Sequence, residues 1–203
     1  EDLPGIRRDA VERFFAARVP GGAGPLRFSL ISGGRSNITY RVDGAGGTWV
    51  LRRPPLGHVL PTAHDMAREY RVIAALGATD VPVARSYALC EDDAVTPQGG
   101  FRWGVGTAFY VMDYVAGRIL WDPALPGMQP SERTALFTEM NRVIAALHSV
   151  DYASVGLADY GRPGSYFSRQ IDRWGKQYRA SETERIEAMD NLMAWLPANI
   201  PAG

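Results

Sequence analysis

Phe109-Tyr110-Val111-Met112-Asp113-Tyr114-Val115-Ala116-Gly117 is an apolar run closed by a small, glycine-ended connector. The run suits a core strand. The extended connector after it exposes main-chain N–H and C=O groups that must find partners and that can pair with a purine edge. This stretch also divides the chain by character. Upstream, Leu26, Phe28 and Leu30 alternate with Arg27 and Ser29, and Ile38, Tyr40 and Val42 alternate with Thr39 and Arg41. Residues 48–52 are rich in strand formers, and a further strand is expected near 85–90. Short Gly-rich links, Gly33-Gly34-Arg35-Ser36 and residues 43–47, join the first three as hairpins. Helical spacing appears at 6–19 and 62–76. Downstream, residues 131–148 read as a helix with Ser131 as N-cap. Leu136, Met140, Val143, Ile144 and Leu147 are its expected buried stripe. Residues 165–196 read as one or two more helices. The prediction is an α+β chain: an antiparallel, β-rich part with one main helix over 1–116, then an α-rich part over 117–203.

Composition narrows the function. The 203 residues are 46% apolar and 22% charged, enough for a real core. Lys plus Arg equals Asp plus Glu, 22 of each. That balance argues against nucleic acid, which needs a basic excess, and against a polybasic membrane anchor. No apolar run approaches a membrane span. A single cysteine, Cys90, excludes an intramolecular disulfide and a cysteine-based zinc cluster. A reducing, cytoplasmic setting is the expectation.

Four features could carry chemistry. Gly33, Gly34, Ser36 and Asn37 stand in and beside the first hairpin turn, where glycine lets backbone N–H groups approach an anion. Val50 and Arg52 share one face of the third strand, while Leu51 and Arg53 share the other. Arg53, beside Pro54-Pro55, reads as a strand-end arginine in solvent. Glu69 sits on the next helix at the border of its packing face, where it could orient Arg52. The connector at 113–117 is the fourth. Each alone has a bland reading: a tight turn, a strand-end cation, a solvated glutamate, a core strand.

Their order is the protein-kinase signature set. The chain resembles the aminoglycoside phosphotransferase (choline kinase-like) family, and within it the branch associated with acyl-CoA dehydrogenases. Gly33-Gly34-Arg35-Ser36-Asn37, residues 50–55, residues 68–73, residues 109–117 and Leu147-His148-Ser149-Val150-Asp151 carry the resemblance. The resemblance implies a protein-kinase-like fold and transfer of the γ-phosphoryl of ATP, or of GTP, to a hydroxyl of a small molecule. Gly33, Gly34, Ser36 and Asn37 would cover the phosphates, and Arg52 would replace the lysine more often found at its position. Glu69 would pair with that cation. Met112 would line the back of the adenine pocket, Val50 would belong to the same nucleotide site, and main-chain groups of Asp113 and Val115 would contact the base.

The family's His-Gly-Asp catalytic loop and its later magnesium-binding Asp do not occur in this sequence. His58, His64 and His148 are followed by Val, Asp and Ser. Asp190-Asn191-Leu192-Met193 imitates the end of such a loop but falls in a helical run. In family order the loop should begin soon after Ile200-Pro201. The chain is therefore expected to be an N-terminal portion that supplies no catalytic residue and no Mg2+ ligand. Two further readings stand: a non-catalytic nucleotide-binding or scaffolding module, and a partner of an acyl-CoA dehydrogenase that acts on acyl-CoA-derived hydroxy acids. The mixed charges of Glu182, Glu184, Arg185, Glu187 and Asp190 lean away from a polycationic aminoglycoside as acceptor. His58 and His64, six apart with no third ligand, read as surface groups.

Overall fold

The computed structural model describes residues 6–31, 37–56, 64–92, 105–161 and 164–201. The turn residues Gly33, Gly34 and Ser36, and also His58, lie outside them. The described residues form two compact units, divided between Leu157 and Ala158.

The first unit is built on a five-stranded antiparallel sheet. Its strands are β1 (Arg27–Leu30), β2 (Ile38–Gly44), β3 (Gly47–Arg53), β4 (Ser86–Glu91) and β5 (Ala108–Asp113). They are ordered β1-β2-β3-β5-β4. The β2–β3 link is a tight hairpin, closed where Gly44 pairs with Gly47. A Cβ on Gly46 would stand 2.3 Å from the carbonyl oxygen of Gly21, so only glycine fits where these two turns cross.

Alternation assigns the two faces of the sheet. On one, Tyr40, Val42, Trp49, Leu51, Ala88, Cys90, Phe109 and Val111 are buried. Helix α1 (Arg8–Arg18) covers them with Ala10, Val11, Phe14 and Phe15. Phe14 meets Phe109 edge-on at 4.9 Å between ring centroids, and Phe15 meets Trp49 at 5.8 Å. Leu26 fixes the helix: its N–H donates to Glu12 Oε1 and its carbonyl accepts from Arg8 Nη1. On the other face, α2 (Met66–Leu76) sets Met66, Tyr70 and Ile73 against Ala108, Tyr110, Leu89 and Met112.

Three expectations need correction. Helix α2 starts at Met66 rather than at 62, because the Asp65 carboxylate accepts from the Arg68 N–H and caps it there. Helix α3 (Pro130–His148) is capped by Gln129, not Ser131. Pro130 takes the first helical position, where its missing N–H costs nothing, and Gln129 and Glu132 form a reciprocal capping box. The stripe on α3 is not buried within the first unit: Met140, Ile144 and Leu147 are 49%, 47% and 44% exposed, and no other described element of that unit packs against this face.

The second unit is a helical pair, α4 (Tyr166–Ser181) and α5 (Glu187–Ala198). Asp190 lies in α5 and accepts from Arg185 at 2.9 Å, so the Asp-Asn-Leu-Met phrase is helix surface, as expected. No helix among the described residues is long and apolar enough to cross a membrane.

Candidate functional site

The α2-facing side of the sheet carries two rows of side chains. Register places Thr39 opposite Arg52, and Arg52 opposite Tyr110. Two residues along, Arg41 lies opposite Val50, and Val50 opposite Met112. Directly opposed residues have Cβ atoms roughly 4.5–5.5 Å apart, so each row acts as one surface.

Glu69 hangs from α2 over the first row. It lies three residues after Met66 and four before Ile73, so helical spacing turns it toward the sheet with both. Its Oε2 accepts from Arg52 Nε at 2.9 Å and from the Tyr110 hydroxyl at 3.2 Å. Its Oε1 accepts from Asn37 Nδ2 at 2.7 Å. Arg52 also donates from Nη1 to Thr39 Oγ1 at 3.0 Å. The ion pair expected between Arg52 and Glu69 is therefore formed, with both side chains about one-third exposed. Nη2 of Arg52 makes no hydrogen bond to a described residue. Burial, reinforced by the Glu69 carboxylate, raises the Tyr110 phenol well above its usual range, so it stays a neutral donor.

Asn37 is 6% exposed, with both ends of its carboxamide engaged. Besides donating to Glu69, its Oδ1 lies 2.6 Å from His64 Nδ1. His64 is thus tied to the site rather than a simple surface group. Arg53 also departs from expectation. It is 6% exposed, with Nε donating to the Pro54 carbonyl, and burial lowers its pKa. It belongs to the α1-facing side with Trp49 and Leu51, where alternation puts it.

The second row runs to the connector. Arg41 grips the Asp43 carboxylate through Nε and Nη2, at 3.1 and 2.9 Å, and lies 4.7 Å over the Tyr114 ring. Thr48 adds a hydroxyl donor to Asp43 at 2.8 Å. The hydrogen bonds from Arg41 and then from Thr48 hold the Asp43 carboxyl below its usual range. Val50 is buried and Met112 half-buried. The Asp113 N–H donates to the Arg85 carbonyl at 2.8 Å, and the Tyr87 hydroxyl donates to its carboxylate. This leaves the carbonyl of Asp113 as its main-chain group for a ligand. Val115 is 72% exposed, and its N–H has no partner among the described residues.

Sequence reasoning found the Arg52–Glu69 pair and the shared face of Val50 and Arg52, and the register now sets Met112 beside Val50. It missed Thr39, Tyr110 and His64. The first two were accessible from register, because each stands beside Arg52 once the strands are paired.

The phosphotransferase enzyme family matches residues 27–203. The chain is 41% identical over 197 residues to mouse acyl-CoA dehydrogenase family member 10, covering 97% of this chain and 18% of that protein. It is 42% identical over 206 residues to a probable acyl-CoA dehydrogenase of Arabidopsis thaliana, covering 96% of this chain and 24% of that one. A solved structure from Ralstonia eutropha, described as an aminoglycoside phosphotransferase, is 51% identical and superposes with a TM-score of 0.77. It is matched over 97% of this chain and 54% of its own length. The chain thus spans about a quarter or less of the curated relatives and about half of the solved one. A cation on the third strand held by a helix glutamate, in a sheet of this topology and with these relatives, has one explanation: the chain has a protein-kinase-like fold and belongs to the phosphotransferase enzyme family.

Proposed function

We propose that the protein containing this chain transfers the γ-phosphoryl group of ATP to a hydroxyl of a small molecule, and that residues 1–116 are its nucleotide-binding lobe. The observation that carries this reading is the Arg52–Glu69 pair at 2.9 Å, locked by further donors from Asn37 and Tyr110. A cation held this way is preorganised for phosphate, because Nε and Nη1 are spent on positioning while Nη2 is left for an anion. The second row supplies a floor for the base, Val50 and Met112. The Asp113 carbonyl and the Val115 N–H offer an acceptor and a donor to a purine edge. Gly33, Gly34, Ser36 and Asn37 would form the turn over the phosphates.

Such transfer depends on positioning and charge neutralisation, with Mg2+ and a carboxylate base at the γ-phosphate. The hydroxyl oxygen bonds to Pγ, the bridging oxygen leaves with ADP, and the hydroxyl proton passes to the base. Base and Mg2+ ligands are assigned to the remainder of the protein. In this reading an acyl-CoA dehydrogenase is the partner and an acyl-CoA-derived hydroxy acid the acceptor; what motivates it is similarity to proteins named acyl-CoA dehydrogenases.

The test is ATP turnover with Mg2+ by the full-length protein against a panel of hydroxylated metabolites, hydroxyacyl-CoA compounds and aminoglycosides included. Metal-dependent phosphorylation that is lost in Arg52→Ala is expected. Full activity in Arg52→Ala would overturn the assignment of this cation. Phosphorylation by the 203 residues alone, at the full-length rate, would overturn the placement of the base.

A further inference from the structure

We propose that His64 is a positioning residue: through the Asn37 carboxamide it orients Glu69, and through Glu69 it sets Arg52 for an anionic ligand. The inference deepens the nucleotide-site reading and rests on it only for the identity of that ligand.

Donor and acceptor chemistry fixes the direction of the chain of bonds. An ionised Glu69 can only accept. The atom of Asn37 that faces it at 2.7 Å must then be Nδ2, the donor. Oδ1 consequently faces His64 Nδ1 at 2.6 Å, and that nitrogen must carry the proton. A neutral His64 is thereby held as the Nδ1–H tautomer, leaving Nε2 as a bare acceptor. The reverse orientation of Asn37 would set oxygen against oxygen at Glu69.

Position gives the contact leverage. His64 immediately precedes Asp65, the N-cap of α2, and Glu69 closes the first turn of the same helix. One carboxamide, at the start of β2, thus grips both ends of that turn. His64 has φ 60, a left-handed backbone uncommon outside glycine, which the surroundings must hold in place. Swinging α2 away from the sheet would break the Asn37, Arg52 and Tyr110 bonds to Glu69 and the His64 bond to Asn37 together.

Two variants separate positioning from bulk. The carboxamide N–H of His64→Asn takes the place of the imidazole Nδ1–H, whereas that of His64→Gln lies one bond farther out. In the 203-residue chain, 15N spectra of the imidazoles are expected to show His64 protonated at Nδ1 when neutral, reverting to Nε2–H in Asn37→Ala. Solvent exchange of the Arg52 Nε–H is expected to match the parent in His64→Asn and to rise about tenfold in His64→Gln, the factor one charge-assisted hydrogen bond carries. Affinity of the full-length protein for Mg2+-ATP, by calorimetry, should weaken in His64→Gln and recover in His64→Asn. An Nε2–H tautomer in the parent, or equal Arg52 exchange in the two variants, would overturn the proposal. A full-length parent that binds no ATP would instead overturn the nucleotide assignment, and the tautomer and exchange readouts would still decide the role of His64.

Discussion

Replacing Glu69 by Gln keeps the shape of the site and removes its anion. The carboxylate takes three donors on two oxygens: Asn37 on Oε1, and Arg52 and Tyr110 on Oε2. Glutamine offers one oxygen. With that oxygen in the Oε2 position, Arg52 and Tyr110 keep neutral acceptors, and the new NH2 opposes the Asn37 NH2. Asn37 can escape by turning over, but only if His64 moves its proton from Nδ1 to Nε2. Exchanging a charge-assisted bond for a neutral one costs about 1 kcal/mol, and reorganising Asn37 and His64 brings the expected loss to about 1–2 kcal/mol. Because both partners are about one-third exposed, the ion pair itself accounts for no more than about 1 kcal/mol. Urea denaturation of the 203-residue chain measures the total. A double-mutant cycle with Arg52→Met isolates the pair, with a coupling of about 0.5–1 kcal/mol expected. Glu69→Ala strands all three donors and should cost more than Gln. A Gln variant as stable as the parent, with no coupling to Arg52, would refute the view that this carboxylate organises the site.

Three further outcomes follow from particular contacts. Val115→Pro removes an exposed N–H and restricts Tyr114 to extended backbone, so ATP affinity of the full-length protein should fall while stability changes little; unchanged affinity by calorimetry would remove the connector from the site. Asp65→Ala deletes the α2 cap and should cost about 1 kcal/mol, or about 2–4 °C in Tm, by thermal denaturation. Asp43 has its folded pKa lowered by Arg41 and Thr48, so its contribution is complete above the unfolded value near about 4 and is lost as pH falls through the folded one. Asp43→Asn should therefore lower stability at neutral pH and flatten the acid limb below about pH 4, with little difference from the parent at lower pH.

Most of the sheet was legible because its signals are local. Alternation at 38–42 and 48–52 sorted Tyr40, Val42, Trp49 and Leu51 to one face and Val50 with Arg52 to the other, as observed. Arg53 shows where that logic was not followed through. Alternation puts it with Leu51 on the face opposite Arg52 and the neighbouring prolines suggest solvent, yet that face is the one α1 covers and the side chain is buried. The α3 cap was misplaced for a related reason. Ser131 is a good capping type, but Pro130 fits the first helical position, and the capping box then falls to Gln129 and Glu132. Burial on α3 was not legible at all, since an apolar stripe shows which face seeks cover and not what covers it.

The site was legible as a pair and not as a network. Arg52 and Glu69 could be matched by order along the chain. Thr39 and Tyr110 emerge only when three strands are aligned, and His64 only when the start of α2 is laid beside the start of β2. The network also explains how an arginine can serve at a position where the family resemblance implies a lysine. A lysine ammonium is compact and would meet Glu69 as a point charge. A guanidinium is a planar fork that must be held at more than one nitrogen to have a defined direction. Here Nε is held by Glu69 and Nη1 by Thr39, one from the helix and one from the neighbouring strand. Glu69 in turn is kept from rotating by Asn37 and Tyr110. Arginine at this position is thus matched by polar partners on both sides of it. Arg52→Lys on its own would abandon Thr39 and leave the fork-shaped site around a cation that cannot span it.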